Sequence, residues 1–265
     1  MASKSPLLSN AAEPRLSAAA EDYLKAIYKL RQSDEAVSTQ AIADHLSVAA
    51  PSATAMTKKL AALHLLRHAP YHGVELTPAG ERIALEVIRH HRLVETYLAQ
   101  VLGVAWDKVH EEAERWEHIL SEEIESRMDA ALNHPTHDPH GAPIPTLDGQ
   151  IASEGWPGLT QIGEGTCAQV RRVSGDAQTL RYLSEIGLVL GARVRVLRAV
   201  AVEGVLQLEI EGRRHTIGLA PASALWVAPS DQEDAAELKT NRERGVAVKT
   251  SRRRAATKKT VPKSP

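Results

Sequence analysis

Residues 108–121 read KVHEEAERWEHILS, and the spacing within this stretch organises the rest of the chain. It predicts one helix, with Asp107 as its N-cap. His110, Glu114, Glu117 and His118 stand at i, i+4, i+7 and i+8, an arc of about 100° on a helix. Two carboxylates and two imidazoles on one strip make a multidentate set for a divalent cation. The neighbouring strip, Val109, Ala113, Trp116, Leu120 and Ile124, is apolar at helical spacing. One edge of the helix packs while the next presents ligands. Glu111, Glu112, Glu122 and Glu123 read as a solvated charged face. The four strip residues differ from such a face because histidines are interleaved among them at ligand spacing.

Upstream, residues 79–102 predict a long helix, opened by Thr77 and Pro78 and ended by Gly103. His91 and Glu95 lie on one face of it at i, i+4. Alone, such a pair is just as often a surface pairing, but here a second ligand-bearing helix follows at once. The short turn 103–106 makes the two helices antiparallel neighbours. Their apolar faces, Val87, Val94 and Leu98 against Val109, Ala113, Trp116 and Leu120, either pack together or form a dimer seam.

Further towards the N-terminus, residues 16–31 predict a helix capped by Ser17, with Tyr23, Leu24, Ile27, Tyr28 and Leu30 on its apolar side and Asp22 in its second turn. Ser38 caps a short helix, TQAIADHL, and Pro51 opens another that runs to about His64. Two extended segments, LLRHAPY and VELT, flank the turn His72–Gly73. Helix, helix, turn, helix, hairpin is the order of a winged helix-turn-helix. In that module the helix beginning at Pro51 enters the major groove, which places Ser52, Thr54, Thr57 and Lys58 near the bases. Lys59 is placed to contact phosphate, and Arg67, His68 and His72 reach the backbone or minor groove from the hairpin; Ser38, Thr39 and Pro51 complete the candidate DNA-binding set. Helix-turn-helix shapes also serve as plain packing units, and Ala41, Ile42, Leu46, Leu60, Leu63 and Leu66 suit either use. The hairpin favours DNA.

Beyond Ala131 the pattern breaks into NHPTHDPHGAPIPTLDG, whose prolines and glycines forbid a helix. His134, His137 and His140 read as loop residues, and 141–163 as an irregular linker. Alternation then marks strands at 168–173, 192–200, 205–210 and 213–219, with a short helix at 179–186. This is a small SH3-like β-barrel, too poor in central acids to be an enzyme by itself. The fold class is therefore mainly α with a small β domain. The expected boundaries are a leader (1–15), a winged helix-turn-helix (16–77), a helical metal-binding and dimerisation domain (78–148), a linker (149–164), the SH3-like domain (165–229) and a tail (230–265).

Composition narrows the class. Aromatics make up 3% of the 265 residues and Phe is absent, so aliphatic side chains must fill the core. Cys167 is the only cysteine, which excludes a disulfide framework and a thiolate-rich zinc site. No apolar run of about 20 residues occurs, so no membrane span is expected and a cytoplasmic protein is. The net charge of −1 hides an asymmetry: residues 239–265 hold ten Lys/Arg against one acid, Glu243. That composition predicts a disordered basic tail, either a non-specific nucleic-acid arm or a solubilising one.

The motifs EDYLKAIY (21–28), APSATAMTKKL (50–60), HRLVE (91–95), KVHEEAERWEH (108–118) and HGAPIP (140–145) together resemble the diphtheria toxin repressor and manganese transport regulator family of metal-dependent transcription factors. The resemblance runs over 16–148 and more loosely over 165–228. It implies a homodimer that binds double-stranded operator DNA with a divalent metal as effector. It implies a primary metal site of Asp22, Glu114, Glu117 and His118, and an adjacent site of His91, Glu95 and His110. In three-domain members polar side chains of the SH3-like domain complete the second site; Asp176 and Gln178 lie near the corresponding stretch, without a firm alignment to it.

Three departures bear on the metal. Iron-sensing members carry a methionine where this chain has Asp22 and a cysteine where it has Glu114. Replacing both sulfur ligands by carboxylates favours a harder cation, so Mn(2+) is the expected effector and Fe(2+) the alternative. Lys25 stands where manganese-sensing members carry a glutamate ligand, which argues against a second manganese held in their fashion. The expected function is repression of metal-uptake and metal-homeostasis genes, the metal setting the spacing of two recognition helices. A metalloenzyme is the rival from another class, but nucleophile-elbow, phosphate-loop and HExxH sequences are all missing.

Overall fold

The computed structural model describes residues 16–31, 36–69, 73–200 and 204–230. The leader, the wing tip with His72 and the basic tail expected above lie outside those residues. The chain forms two units, one of Met1–Pro139 with Pro143–Ser153 and one of His140–Ala142 with Glu154–Pro265.

In the first unit, α1 (Ala18–Leu30) starts where Ser17 Oγ accepts the amide of Ala20. Ser38 caps α2 (Thr39–His45) in the same way through the amide of Ala41, and Pro51 stands in the first turn of α3 (Ala50–Ala62). These side-chain acceptors satisfy amides that have no partner inside the helix. A two-stranded wing follows, β1 (Leu66–Ala69) antiparallel to β2 (Gly73–Leu76), with Leu66 opposite Leu76. Leu24, Ile27, Ile42, Ala53, Leu60, Leu66 and Val74 bury one core from all five elements. Gly73 has φ +117°, and a Cβ there would lie 2.1 Å from the Val37 carbonyl oxygen. The wing therefore seats directly on the Val37–Val74 bridge.

The long helix α4 (Pro78–Gln100) begins on Thr77, whose Oγ1 accepts the Gly80 amide at 3.1 Å. Its C-terminal half packs with α5 (Val109–Trp116) and α6 (Glu122–Ala131) around a second core of Leu93, Val94, Leu98, Val109, Ala113, Leu120 and Met128. The two apolar faces read from the sequence thus meet within one chain.

The expected single helix over 108–121 is corrected. It ends at Trp116, and Ser121 caps a new helix through the Ile124 amide. Lys108, not Asp107, occupies the N-cap position of α5 and gives no side-chain cap. Ile124 consequently leaves the apolar strip and stands 49% exposed. The segment read as a linker is partly tied down: Ile144 joins the second core, and Arg89 donates to the Pro145 carbonyl at 2.8 Å. His134 pairs with Asp129 at the surface.

The second unit is a five-stranded antiparallel sheet with two short helices. In chain order these are β3 (Cys167–Val173), α7 (Ala177–Glu185), β4 (Arg193–Val200), β5 (Val205–Ile210), β6 (Arg213–Gly218), α8 (Leu219–Ser223) and β7 (Leu225–Ser230). The strand order is β6-β5-β4-β3-β7. Val170, Leu183, Val196, Leu208, Ile217 and Leu225, from strands and from α7, are fully buried. Strand β7 was not read from the sequence, because Pro229 interrupts its pattern; at the sheet edge a proline costs no ladder bond. Asp176 is the N-cap of α7, its carboxylate accepting the Thr179 amide at 2.7 Å. Among the described residues no helix is long and apolar enough to cross a membrane.

Candidate metal centre and nucleic-acid interface

All seven ligand candidates lie in the first unit and come from three places: Asp22 on α1, His91 and Glu95 on α4, and His110, Glu114, Glu117 and His118 along α5 and the turn after it. The early end of α5 matters here. Glu117 is the C-cap, still helical, its amide bonding the Ala113 carbonyl and its side chain buried, while His118 lies one residue past it in the turn.

Two clusters result. In the first, Asp22, Glu117 and His118 each bring a donor atom within 4.8 Å of the others. His118 Nε2 is 3.0 Å from Asp22 Oδ1 and 3.2 Å from Glu117 Oε1. In the second, His91, His110 and Glu114 meet the same criterion, and Glu95 Oε1 stands 3.1 Å from His91 Nε2 and 3.0 Å from His110 Nδ1. Glu117 joins the two, since its Oε2 lies 2.5 Å from His91 Nδ1. Six of the seven candidates thus fall in the groups implied by the family resemblance. Glu114 does not: its carboxylate lies 3.6 Å from His110 and 3.8 Å from His91, in the second cluster rather than with Asp22. Lys25 explains this placement, because its ammonium touches both Glu114 oxygens at 3.0 and 2.9 Å.

The electrostatics follow from burial and pairing. Both nitrogens of His91 face carboxylates. Burial disfavours its charged form, but hydrogen bonds and charge from Glu117 and Glu95 outweigh that and push its pKa up to about 9. Glu114 is half-buried; burial works against its charge, yet Lys25 and His91 hold its carboxyl below the usual range. Behind the site, His90 donates from Nδ1 to the Glu117 carbonyl at 3.1 Å and from Nε2 to Glu125 at 3.2 Å. With two acceptors it is also held above its ordinary pKa, against the cost of burial. That contact pins the backbone of Glu117.

One contributor escaped sequence reasoning. Glu21 Oε2 accepts from His118 Nδ1 at 2.6 Å, which leaves Nε2 facing Asp22 and Glu117. An outer carboxylate that orients a ligating imidazole is a regular part of metal sites. The signal was present, an acid adjoining Asp22, but its partner lies 97 residues away. The donors are carboxylates and imidazoles without sulfur, a set that fits a first-row divalent cation taking oxygen and nitrogen ligands.

On α3, Ser52, Thr54, Lys58 and Lys59 are exposed. Thr57 is not: it is 2% exposed and its hydroxyl donates to the Thr54 carbonyl. It lies four residues after Ala53 and three before Leu60, both fully buried, so it faces the core. Its expected place among the base-reading residues is corrected. Pro51 is exposed at the head of α3, Ser38 is engaged as a cap, Thr39 is half-buried beside it, and Arg67 reaches across the wing to Glu75 at 2.6 Å.

Comparison with known proteins gives this geometry its context. Residues 15–74 match the family described as iron dependent repressor, N-terminal DNA binding domain; 77–146 match its metal binding and dimerisation domain; 158–229 match the FeoA domain. The chain is 35% identical over 189 residues to the iron-dependent repressor IdeR of Mycobacterium leprae, covering 66% of this chain and 82% of that one. It is 31% identical over 189 residues to the diphtheria toxin repressor of Corynebacterium glutamicum, covering 67% and 82%. A solved structure described as a manganese-dependent transcriptional repressor in complex with manganese superposes with a TM-score of 0.74 at 39% identity, over 80% of this chain and all of that one. A winged helix-turn-helix, a helical unit that clusters carboxylates and imidazoles, and a small β domain thus coincide with three matched domains, and the chain belongs to the diphtheria toxin repressor family of metal-dependent transcriptional repressors, which are not enzymes.

Proposed function

We propose that this chain is a manganese-responsive repressor of metal-uptake and metal-homeostasis genes, acting in the cytoplasm as a homodimer on near-palindromic operator DNA. The observation that carries the reading is the convergence of Asp22 from α1 with Glu117 and His118 from beyond α5. A divalent cation bound there supplies the positive charge that these donors share. Asp22 sits on the helix that packs with α3 in the DNA-binding core, whereas Glu117 and His118 follow a helix of the second core. Holding the three together fixes the recognition helix relative to the dimerising helices. Two such helices, one per protomer, then match major grooves about one helical turn apart. The ligands act only through their different affinities in competent and incompetent arrangements.

The choice of manganese rests on donor chemistry. Asp22 and Glu114 offer oxygen, and hard cations prefer oxygen to sulfur. Relatives named for iron and a neighbour named for manganese both lie within this family, so the test must let the metals compete. Operator binding by the full chain is titrated against free manganese, ferrous iron under anaerobic conditions, and zinc. Manganese is expected to drive binding at concentrations where ferrous iron does not. Iron acting at lower concentration would establish the iron reading instead. Replacing Asp22 by Met together with Glu114 by Cys is expected to move the preference towards iron; an unmoved preference would place selectivity elsewhere.

A further inference from the structure

Lys25 sits in the middle of the ligand clusters. Its ammonium donates to both oxygens of Glu114, at 3.0 and 2.9 Å, and to Oε1 of Glu117. The side chain is 7% exposed and that of Glu117 is 0% exposed. Glu114 belongs to one donor cluster and Glu117 to the other, so a single ammonium engages both. It also spans the same two parts of the fold as the contact of Asp22 with His118, because Lys25 is on α1 and its partners lie on and just after α5.

From this geometry we infer that Lys25 is a resident cation of the metal centre: it holds Glu114 and Glu117 on α1, and an incoming divalent cation must displace it to use them. Lys25 thereby sets the metal concentration at which the repressor responds. The inference rests on the metal-centre reading above. Its physical basis is exchange. A buried ammonium stripped of its partners loses charge-assisted hydrogen bonds that water does not replace, and that loss is subtracted from the metal's binding free energy. Without the ammonium, two carboxylates would face the incoming ion uncompensated. A merely structural lysine behaves oppositely, since losing it loosens the pocket and weakens metal binding.

Manganese binding by the full chain is measured calorimetrically for the wild type, Lys25→Met and Lys25→Arg, with thermal unfolding followed in chelator and in excess manganese. Lys25→Met is expected to bind manganese about tenfold or more tightly than the wild type, the equivalent of one charge-assisted hydrogen bond. Its unfolding temperature in chelator should fall, and manganese should raise it further than in the wild type. Lys25→Arg, which keeps the charge, is expected to bind no more tightly than the wild type. If Lys25→Met is unfolded under all conditions, the arginine variant decides, and tighter binding by it overturns the inference. Equal or weaker binding by folded Lys25→Met overturns it as well, with the metal centre intact. Failure of the wild type itself to bind manganese, iron or zinc would instead remove the metal centre and this inference with it.

Discussion

The carboxylate of Glu21 accepts a hydrogen bond from Nδ1 of His118 at 2.6 Å, while the next residue, Asp22, lies 3.0 Å from Nε2 of the same ring. Consecutive acids on one helix therefore grip both nitrogens of one imidazole. Asp22 stands among the donors, and Glu21 fixes the ring that completes them. Replacing Glu21 by Gln should weaken metal binding about 10- to 100-fold, the usual effect of losing an outer partner of a ligating histidine. The far-ultraviolet circular dichroism should not change. Unaltered metal affinity by calorimetry would show that Glu21 does not orient His118.

His91 carries a pH dependence with a definite sign. A ligating imidazole must be neutral, and Glu117 and Glu95 hold this one protonated up to about pH 9 against the cost of burial. Metal affinity should therefore climb as pH rises towards 9, by up to about tenfold per unit if one proton leaves on binding. Stability of the metal-free chain runs the other way. The folded pKa lies above the ordinary histidine value of 6.5, so the contribution of His91 is complete below about pH 6.5 and is lost as pH rises through about 9. Urea unfolding in chelator at several pH values should show this decline in the wild type and a flatter profile in His91→Gln. A pH-independent affinity would place the proton elsewhere.

Thr57 and Lys58 are adjacent on α3 but face opposite ways: the first is buried and the second exposed. Lys58→Ala should weaken binding to any duplex and lower the salt slope of log affinity by about one. Thr57→Val should leave that slope unchanged and show its effect in stability, through loss of the hydroxyl bond to the Thr54 carbonyl. Operator and random-sequence binding at several salt concentrations separate the two. A lower slope for the Thr57 variant would return it to the interface.

Arg89 closes a buried network under the site. It donates to Glu125 at 2.5 Å and to the Pro145 carbonyl, and lies 3.3 Å from Asp129. Both Arg89 and Glu125 are buried. Arg89→Met should cost about 3–5 kcal/mol in urea unfolding, because it leaves a buried carboxylate short of its partner. A cost below about 1 kcal/mol would mean that His90 alone satisfies Glu125.

Much of this molecule was legible in its sequence, and the legible part is local. The caps Ser17, Ser38, Ser121 and Thr77 lie within four residues of the amides they serve, and Ser121 was overlooked only because one periodic strip seemed to run through it. The wing, the long helix and the apolar faces of α4 and α5 follow from repeats of 2 and 3.6 residues, which need no knowledge of distant partners. The residue types at the candidate metal centre were visible for the same reason, as acids and histidines at short helical spacings. Which of them meet was decided by tertiary packing. Asp22 and His118 are 96 residues apart, Lys25 and Glu114 are 89 apart, and no local pattern records that α1 docks beside the end of α5. Burial turned Thr57 inwards and drew Glu114 towards Lys25. A periodic sequence determines which face of an element is apolar; which charged side chain ends beside which is settled only when those faces close on one another and buried charges must find partners.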